Sequence, residues 1–284
     1  MTFKKIRFVT DSTCDLPADI VQKYQISVLP TFVNYGDVSV PDDGVSLIRE
    51  DFYRELPTRT PFPKTSAISP AIAEEIIQKS FAGADHLFLI AVASKLSAVY
   101  NIMRLAAAKL PQDRVTLIDS KSATMGLGFQ VLAGAEAAEA TSDVEQVHAA
   151  IESTRDRAHV YAALETMEFL KRSGRVSWAV AGIGELLQIK PILHVFDGEV
   201  LSGKRVRTFG RALDELVELV HQQAPLERMA LLYISDYEDA VKLRDRLSDI
   251  APPNTLIVSV TPTIGVHVGT GGVGVVTVSK FGSI

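Results

Sequence analysis

The sequence is poor in the residues that build several common kinds of functional site. Its 284 residues include one cysteine, Cys14, which excludes an intrachain disulfide and is compatible with a reducing cytoplasm. Apolar runs such as residues 87–93 are far shorter than the ~20 residues that a membrane-spanning helix needs. We therefore expect no transmembrane segment, no signal peptide at residues 1–7 and a cytoplasmic location.

The sequence also has no excess of positive charge. The chain carries 29 lysines and arginines against 34 aspartates and glutamates, a net charge of −5, and it has no basic tract. This composition gives no indication of nucleic acid as a partner. The sequence also lacks an H-E-x-x-H motif and a Cys/His cluster, so we expect no metal, and we expect no other cofactor. It has no G-x-S-x-G nucleophile elbow.

Two glycine motifs match nucleotide-binding patterns only in their letters. Residues 269–274 spell G-x-G-x-x-G, but a strand is predicted at 275–278, where a dinucleotide site requires a helix. Residues 198–204 spell G-x-x-x-x-G-K, but Arg205 replaces the serine or threonine of a P-loop, and the segment lies on a predicted hairpin. Binding of NAD or ATP by this chain is therefore not predicted.

The hydropathy pattern predicts an α/β fold in two parts. Strands alternating with helices in the first part are typical of a parallel sheet with helices on both faces. In the second part, a hairpin that turns at Asp197-Gly198 is mixed with helices, which predicts an α+β domain. We place the boundary at residue 157, giving an N-terminal α/β domain (1–157) and a C-terminal α+β domain (158–284).

The predicted strands cover residues 6–10, 26–33, 87–93, 115–118, 159–164, 189–196, 199–206, 229–234, 256–260 and 275–278. Two other segments are predicted to be a polar loop and an element buried on all sides, at 34–44 and 178–187.

Local signals predict where several helices begin. Ser69 and Pro70 are typical of an N-cap and of the first residue of a helix. Asp15 is predicted to cap a helix with a proline in its first turn. Residues 142–145 form a capping-box pattern, which predicts the start of another helix.

Polar side chains follow the predicted strands of the N-terminal sheet where each strand ends. They are Asp11, Ser12, Thr13, Ser94, Ser97, Asp119 and Ser120, and Thr65 and Ser66 precede another predicted helix. Ligands of open α/β sheets bind beyond the carboxyl ends of the strands, where helix N-termini favour an anion. Each of these residues is also an ordinary helix cap, so an anion site and a set of structural caps both remain open.

A second candidate region is the segment 264–274, which holds five glycines and His267. Glycine lets the backbone approach a ligand closely, and histidine changes its charge near neutral pH. Because His267 lies between two valines, we expect it on a strand or at a strand end, beside a pocket. A glycine turn with a core histidine bonded to a carbonyl would explain the same residues.

Two basic clusters, at 171–175 and 203–207, stand out in a chain that is acidic overall. Each is either a solvated face or a docking surface for an acidic or phosphate-carrying partner.

Several separated motifs together resemble the DegV family. Residues 9–17 are similar to the opening of DegV proteins, residues 65–70 to their T-S-x-x-S-P motif, and residues 94–100 to their S-x-L-S-G-T-Y motif. Residues 164–193 give the most specific match, and residues 265–271 resemble the closing H-x-G-x-G. The resemblance spans residues 9–274. Its departures are Ala67-Ile68, Ala98-Val99 and Thr270, which flank the candidate site.

The resemblance implies a two-domain fold that binds a long-chain fatty acid between its domains. Characterised relatives are lipid-binding subunits of bacterial fatty acid kinase, whose ligand is phosphorylated by a separate ATP-binding subunit. The positions that would hold the carboxylate are Thr65, Ser94 or Ser97, and His267. Those that would face the kinase subunit are Arg175 and Arg207. The resemblance implies no catalytic residue in this chain alone.

Two other functions remain open from the sequence. A free-standing acyl hydrolase would use His267 with Ser94 or Ser97, although the chain shows no nucleophile elbow and no evident acid partner. A binding module for a polar or phosphorylated metabolite would use the same polar residues without an apolar tunnel.

Overall fold

Strands and helices alternate through the first half of the chain and mix less regularly in the second. The computed structural model describes residues 5–175, 177, 189–204 and 206–280. The strands are β1 Ile6–Asp11, β2 Ser27–Leu29, β3 Thr31–Tyr35, β4 Val38–Asp42, β5 Lys64–Ser66, β6 His86–Ala91, β7 Val115–Asp119, β8 Ala158–Leu164, β9 Ile192–Phe196, β10 Glu199–Ser202, β11 Leu226–Tyr233, β12 Leu256–Ser259 and β13 Gly272–Ser279. The helices are α1 Ala18–Lys23, α2 Arg49–Glu55, α3 Pro70–Phe81, α4 Val99–Ala106, α5 Met125–Thr141, α6 Val144–Arg155, α7 Glu168–Arg172, α8 Phe209–His221, α9 Tyr237–Arg246 and α10 Pro262–Val268. The segment 178–187, predicted to be buried, lies outside the described residues.

The first sheet is parallel throughout, as the sequence predicts. Its four strands have the order β2-β1-β6-β7. The continuous apolar run that predicts a strand covered on both faces forms β6, and every residue of β6 is buried. Helix α5 is buried along its first eleven residues and packs against β1, β6 and β8. It therefore lies between this sheet and the second half of the chain.

The second half of the chain forms a six-stranded mixed sheet, which confirms the α+β prediction. The strand order is β10-β9-β8-β13-β11-β12, and only β11 and β12 are parallel neighbours. Asp197 and Gly198 both have positive φ, as the central residues of the tightest hairpin turns require. Residue 157 falls between α6 and β8, and its assignment as a domain boundary stays a prediction.

A small third sheet replaces two predicted elements. The predicted strand 26–33 divides at Pro30, which has no N–H to donate to a sheet. Strand β2 joins the parallel sheet, whereas β3 pairs antiparallel with β4 and β5. The prediction of a polar loop at 34–44 is therefore wrong, since β4 folds back on β3 through a turn at Gly36, where φ is +62°.

The predicted helix caps are correct in part. Ser69 accepts a hydrogen bond from the Ile72 N–H and caps α3, as predicted. Asp15 does not cap α1, because it adopts φ +52° at the end of a short 3₁₀ turn. The cap of α6 is Asp143, since Ser142 has φ +54° and ends α5. Neighbouring polar residues compete for these positions, and the backbone conformation decides between them.

Two histidines form a pair on the face of the six-stranded sheet that packs on α8. Nδ1 of His159 lies 2.9 Å from Nε2 of His194. The ring of Phe196 stacks on His159, and the ring of Tyr161 stacks on His194, each at 4.4 Å between centroids. Burial lowers the pKa of both imidazoles to about 4, and the charge of His194 adds to the effect on His159. Both rings are therefore neutral at neutral pH.

We expect the His159–His194 pair to make the fold sensitive to acid. The folded pKa of each ring lies below the ordinary histidine value of 6.5, so its stabilisation is present above pH 6.5 and lost as the pH falls toward 4. Linkage sets an upper limit of about 3 kcal/mol per ring, and solvent access to the rings reduces it, so we expect a loss on the order of 2 kcal/mol for the pair. Urea unfolding at several pH values should give a flatter profile for His194→Gln than for the wild type. Parallel profiles would contradict this account.

Candidate functional site

A cavity of about 320 Å³ lies between the parallel sheet and the six-stranded sheet. One wall is the face of the six-stranded sheet opposite the histidine pair. It presents Val160, Ala162, Leu164, Leu193, Val195 and Val200 to the cavity. Alternate residues of β8 line it because successive side chains of a strand point to opposite faces. The cavity can therefore take an elongated apolar group.

The polar lining is small and comes from several separate elements. It consists of Thr13, Thr31, Thr65, Ser66, Ser97, Thr124, Arg175, Thr263 and His267. A mainly apolar cavity with a few placed polar groups is typical of a site for a small amphipathic molecule.

His267 lies in the last turn of helix α10, so the prediction that it lies on a strand is wrong. The Val-His-Val pattern alternates as a strand does, but Pro262 is the first helical residue and its fixed φ favours a helix start. Gly269, with φ +82°, ends the helix two residues after His267. The chain reaches its last strand only at β13, beyond the glycines.

The glycines around His267 serve packing between helices. A Cβ at Gly265 would come within 2.5 Å of the Tyr53 hydroxyl, and one at Gly269 within 2.0 Å of the Phe169 ring. These two positions let α10 contact α2 and α7 closely. Of the glycines in 264–274, Gly274 lines the cavity.

Thr65 and His267 meet at the cavity wall from opposite halves of the chain. Oγ1 of Thr65, on β5, lies 3.3 Å from Nε2 of His267. Burial, with a smaller contribution from the positive charge of Arg175, lowers the pKa of His267 to about 4. The imidazole is therefore neutral at neutral pH and can give a ligand one N–H donor or one acceptor. Arg175 adds a positive charge to the same part of the wall.

Of the other predicted site residues, one serine lines the cavity and two residues are exposed outside it. Ser97 lines the cavity, and its hydroxyl accepts the Val99 N–H at 3.4 Å. Ser94 is exposed and lies outside the described lining. Arg207 is likewise exposed and away from that lining. The structure thus brings together Thr65, Ser97, Arg175 and His267 at one cavity.

Two of the aspartates that follow strands of the parallel sheet accept hydrogen bonds from backbone N–H groups. Asp11 accepts the backbone N–H groups of Thr13 and Val92, at 3.1 and 2.8 Å. Asp119 accepts the Ser94 N–H at 3.2 Å. These carboxylates connect the loops that follow neighbouring strands. Of the polar residues after β1, Thr13 lines the cavity.

Asp42 anchors the start of α10, which the sequence analysis missed. Its Oδ2 accepts the Thr261 hydroxyl at 2.6 Å and the Thr263 N–H at 2.8 Å. The Tyr53 hydroxyl donates to the Val260 carbonyl at 2.9 Å. Asp42 lies in a segment whose composition predicts a loop, and its partners are more than 200 residues away. No local signal identifies it.

A chain of hydroxyls leads from the cavity into the interior. Oγ1 of Thr263 lies 2.7 Å from Oγ1 of Thr31, which lies 2.7 Å from Oγ of Ser12. Beyond it, Asp15 is fully buried, and Nη2 of Arg49 lies 3.7 Å from Oδ1 of Asp15. Burial raises the pKa of Asp15 to about 7 against the opposing effect of Arg49. Polar groups thus extend well behind the cavity wall.

The structure describes residues 5–175, 177, 189–204 and 206–280. Within them, no group of three or more His, Cys, Asp or Glu side chains could hold a metal ion. In the same ranges, no helix has the length and apolar character to cross a membrane.

Two α/β layers enclose an apolar cavity with a small polar cluster, an arrangement that is typical of sites for small amphipathic molecules. The chain belongs to the DegV family: residues 5–280 match the family model described as "Uncharacterised protein, DegV family". A DegV domain-containing protein from Mycobacterium bovis is 32% identical over 277 residues, which cover 94% of this chain and 95% of the relative.

Solved structures of DegV proteins share the fold. A DegV family protein from Thermus thermophilus, described as fatty acid binding, is 31% identical with a TM-score of 0.89, over 97% of this chain and 99% of that one. DegV from Bacillus subtilis, described as a fatty acid binding protein, is 25% identical with a TM-score of 0.85, over 98% and 100% of the two chains.

Replacing Asp42 with alanine should destabilise the protein through α10. The Thr261 hydroxyl and the Thr263 N–H would lose a charged acceptor, and we expect a loss of about 2 kcal/mol in the free energy of unfolding. Asp43→Ala is the matched control. It removes bonds to the Val45 and Ser46 N–H groups in an exposed turn, so it should cost less. Equal losses in urea titrations would contradict the anchoring role.

Proposed function

We propose that this chain binds a long-chain fatty acid in the cavity, between the proposed domains 1–157 and 158–284. The observation that carries the proposal is a mainly apolar cavity, lined by alternate residues of β8, with Thr65, His267 and Arg175 on its wall. It is supported by two family members of the same fold that are described as fatty acid binding. A polar metabolite would leave the apolar wall of β8 without a partner.

Most of the affinity would come from the acyl chain. Burying about fifteen methylenes at ~0.8 kcal/mol each contributes ~12 kcal/mol. Hydrogen bonds to a charged head group contribute ~1.5–3 kcal/mol each. Association opposes them with ~4–15 kcal/mol. The head-group residues would therefore determine the position of the carboxylate more than the strength of binding.

Each polar residue has a distinct role at the carboxylate. The hydroxyl of Thr65 and one imidazole N–H of His267 donate hydrogen bonds to it. Arg175 supplies the positive charge that balances it. Ser97 lines the same cavity, which favours it over the exposed Ser94 as the serine of the site. In this arrangement the neutral state of His267 is an advantage, because it leaves the charge balance to Arg175.

The same geometry gives little support to a Ser/His acyl hydrolase. The hydroxyl of Thr65 lies 3.3 Å from Nε2 of His267, whereas Ser94 is exposed to solvent. A hydrolase would need a serine at that nitrogen.

We further propose that the bound carboxylate is presented to a separate ATP-dependent kinase subunit. Arg175 lines the cavity and is half-buried, which supports a contact with the carboxylate on one side and with an approaching phosphoryl group on the other. Arg207 is exposed, so it can meet an acidic or phosphate-carrying surface directly. The proposal gives this chain no catalytic residue for phosphoryl transfer. It also implies a cytoplasmic location, where an ATP-using partner would work.

His267→Ala should weaken fatty acid binding by about tenfold, because the carboxylate loses one hydrogen-bond donor. Isothermal titration of delipidated protein with palmitate measures the change. His148→Ala, on the exposed face of α6, is the matched control and should bind as the wild type does. Unchanged affinity in His267→Ala would remove the head-group assignment.

Arg207→Ala should leave palmitate affinity unchanged and lower the rate of acyl-phosphate formation by a fatty acid kinase subunit several-fold. The reason is that Arg207 is exposed and lies away from the described cavity lining. Arg244→Ala on α9 serves as an exposed-arginine control. If Arg207→Ala, at limiting concentrations of the fatty-acid-binding chain, supports acyl-phosphate formation at the wild-type rate, docking through Arg207 is contradicted.

A further inference from the structure

The cavity has two distinguishable ends along strand β8. At the Leu164 end, the Glu165 N–H bonds to the Gly271 carbonyl and α7 packs against α10. His267 and Arg175 belong to this end. At the opposite end, Val160 pairs with Val195 of the hairpin, and Val195 pairs with Val200.

The hairpin of β9 and β10 lines the Val160 end of the cavity with Val195 and Val200. Val160 also packs against Gly126 at the start of α5, where an added Cβ would lie 2.7 Å from Val160 Cγ2. The loop before α5 carries Lys121, and the tip of the hairpin rests on it. With the carboxylate at His267, which is the proposed function on which this inference rests, the methyl end of the chain points toward the hairpin.

Three polar contacts hold the tip of the hairpin against the parallel sheet. The Gly198 N–H donates to the Lys121 carbonyl at 2.7 Å. Nζ of Lys121 lies 2.6 Å from Oδ1 of Asp197, and Nζ of Lys95 lies 2.7 Å from Oε1 of Glu199. We call these three contacts the hairpin latch.

The receiving loop is shaped for this contact. Lys121 has φ +51°, which costs conformational energy for a residue with a side chain. Asp119 Oδ1 accepts the Lys121 N–H at 2.9 Å and the Ser94 N–H at 3.2 Å. A single carboxylate thus supports both loops that meet the hairpin. Ser94 and Asp119, two of the polar residues that follow strands of the parallel sheet, thus support the hairpin contact and take no part in the head-group site.

We propose that the hairpin latch is the chain-length gate of the fatty acid site. Val195 and Val200 of the hairpin form the cavity wall just inside the latch. A chain whose methyl end reaches the hairpin can extend further only if the tip separates from Lys121. The latch therefore limits the length of the bound chain and slows its release.

The latch should respond to ionic strength. All four charged side chains are about half exposed, between 47% and 63%. Contacts of this kind are weak individually and screened by salt. Raising the salt concentration should therefore accelerate release in the wild type by about twofold to fivefold. A variant without the two ion pairs should show little further change.

The test uses full-length, delipidated protein and a double variant, Asp197→Asn with Glu199→Gln. Asparagine tolerates the positive φ of residue 197, so the turn is preserved. Lys109→Gln removes another exposed ion pair, with Glu74, away from the cavity and is the matched control. The measurements are dissociation rates of a fluorescent fatty acid by stopped flow, and affinities for saturated fatty acids from laurate to behenate.

We expect the double variant to release the probe about twofold to fivefold faster, to lose the salt dependence, and to favour longer chains than the wild type does. Lys109→Gln should match the wild type. Rates and chain-length profiles equal to those of the wild type in the double variant would overturn the gate, while fatty acid binding would stand. A wild-type protein that takes up no fatty acid in the same assay would overturn the proposed function itself.

Discussion

The polar end of the cavity depends on how helix α10 is anchored. Asp42 of the small sheet accepts two hydrogen bonds at the start of α10, and Tyr53 of α2 bonds to the carbonyl just before it. The helix has only seven residues, which is too short to be stable alone. Tertiary contacts must therefore fix it, and with it the distance between His267 and Thr65. A seven-residue helix held by buried side chains thus gives a mainly apolar cavity its specific polar end.

Burial shifts the pKa values of two groups near this anchor in opposite directions, and in both cases it disfavours the charged form. It lowers the pKa of His267 to about 4 and raises the pKa of Asp15 to about 7, so both groups favour their neutral forms. Arg175 is then the positive charge on the cavity wall. An anionic head group is the natural complement to this arrangement, since it balances Arg175 and accepts hydrogen bonds from neutral donors. The apolar wall beyond it would contact the acyl chain of the proposed ligand.

Local patterns predicted the fold better than the details of the site. The apolar run of β6, the Ser69-Pro70 helix start and the Asp197-Gly198 turn each depend on residues close in sequence, and each formed as expected. His267 was predicted on a strand because two valines flank it, whereas a proline five residues earlier begins a helix. The role of Asp42 could not be predicted, because its partners lie more than 200 residues away. Motif resemblance supplied Thr65 and His267, which periodicity alone would not have joined.

The most direct test of the central claim is a native mass spectrum of the purified protein, combined with solvent extraction of the same sample. The account predicts one fatty acid bound per chain, released on extraction and identified by its mass. It also predicts that stripped protein takes up added palmitate with the same stoichiometry. A protein that is empty when purified and takes up no added fatty acid would contradict the account, and the DegV fold alone would remain.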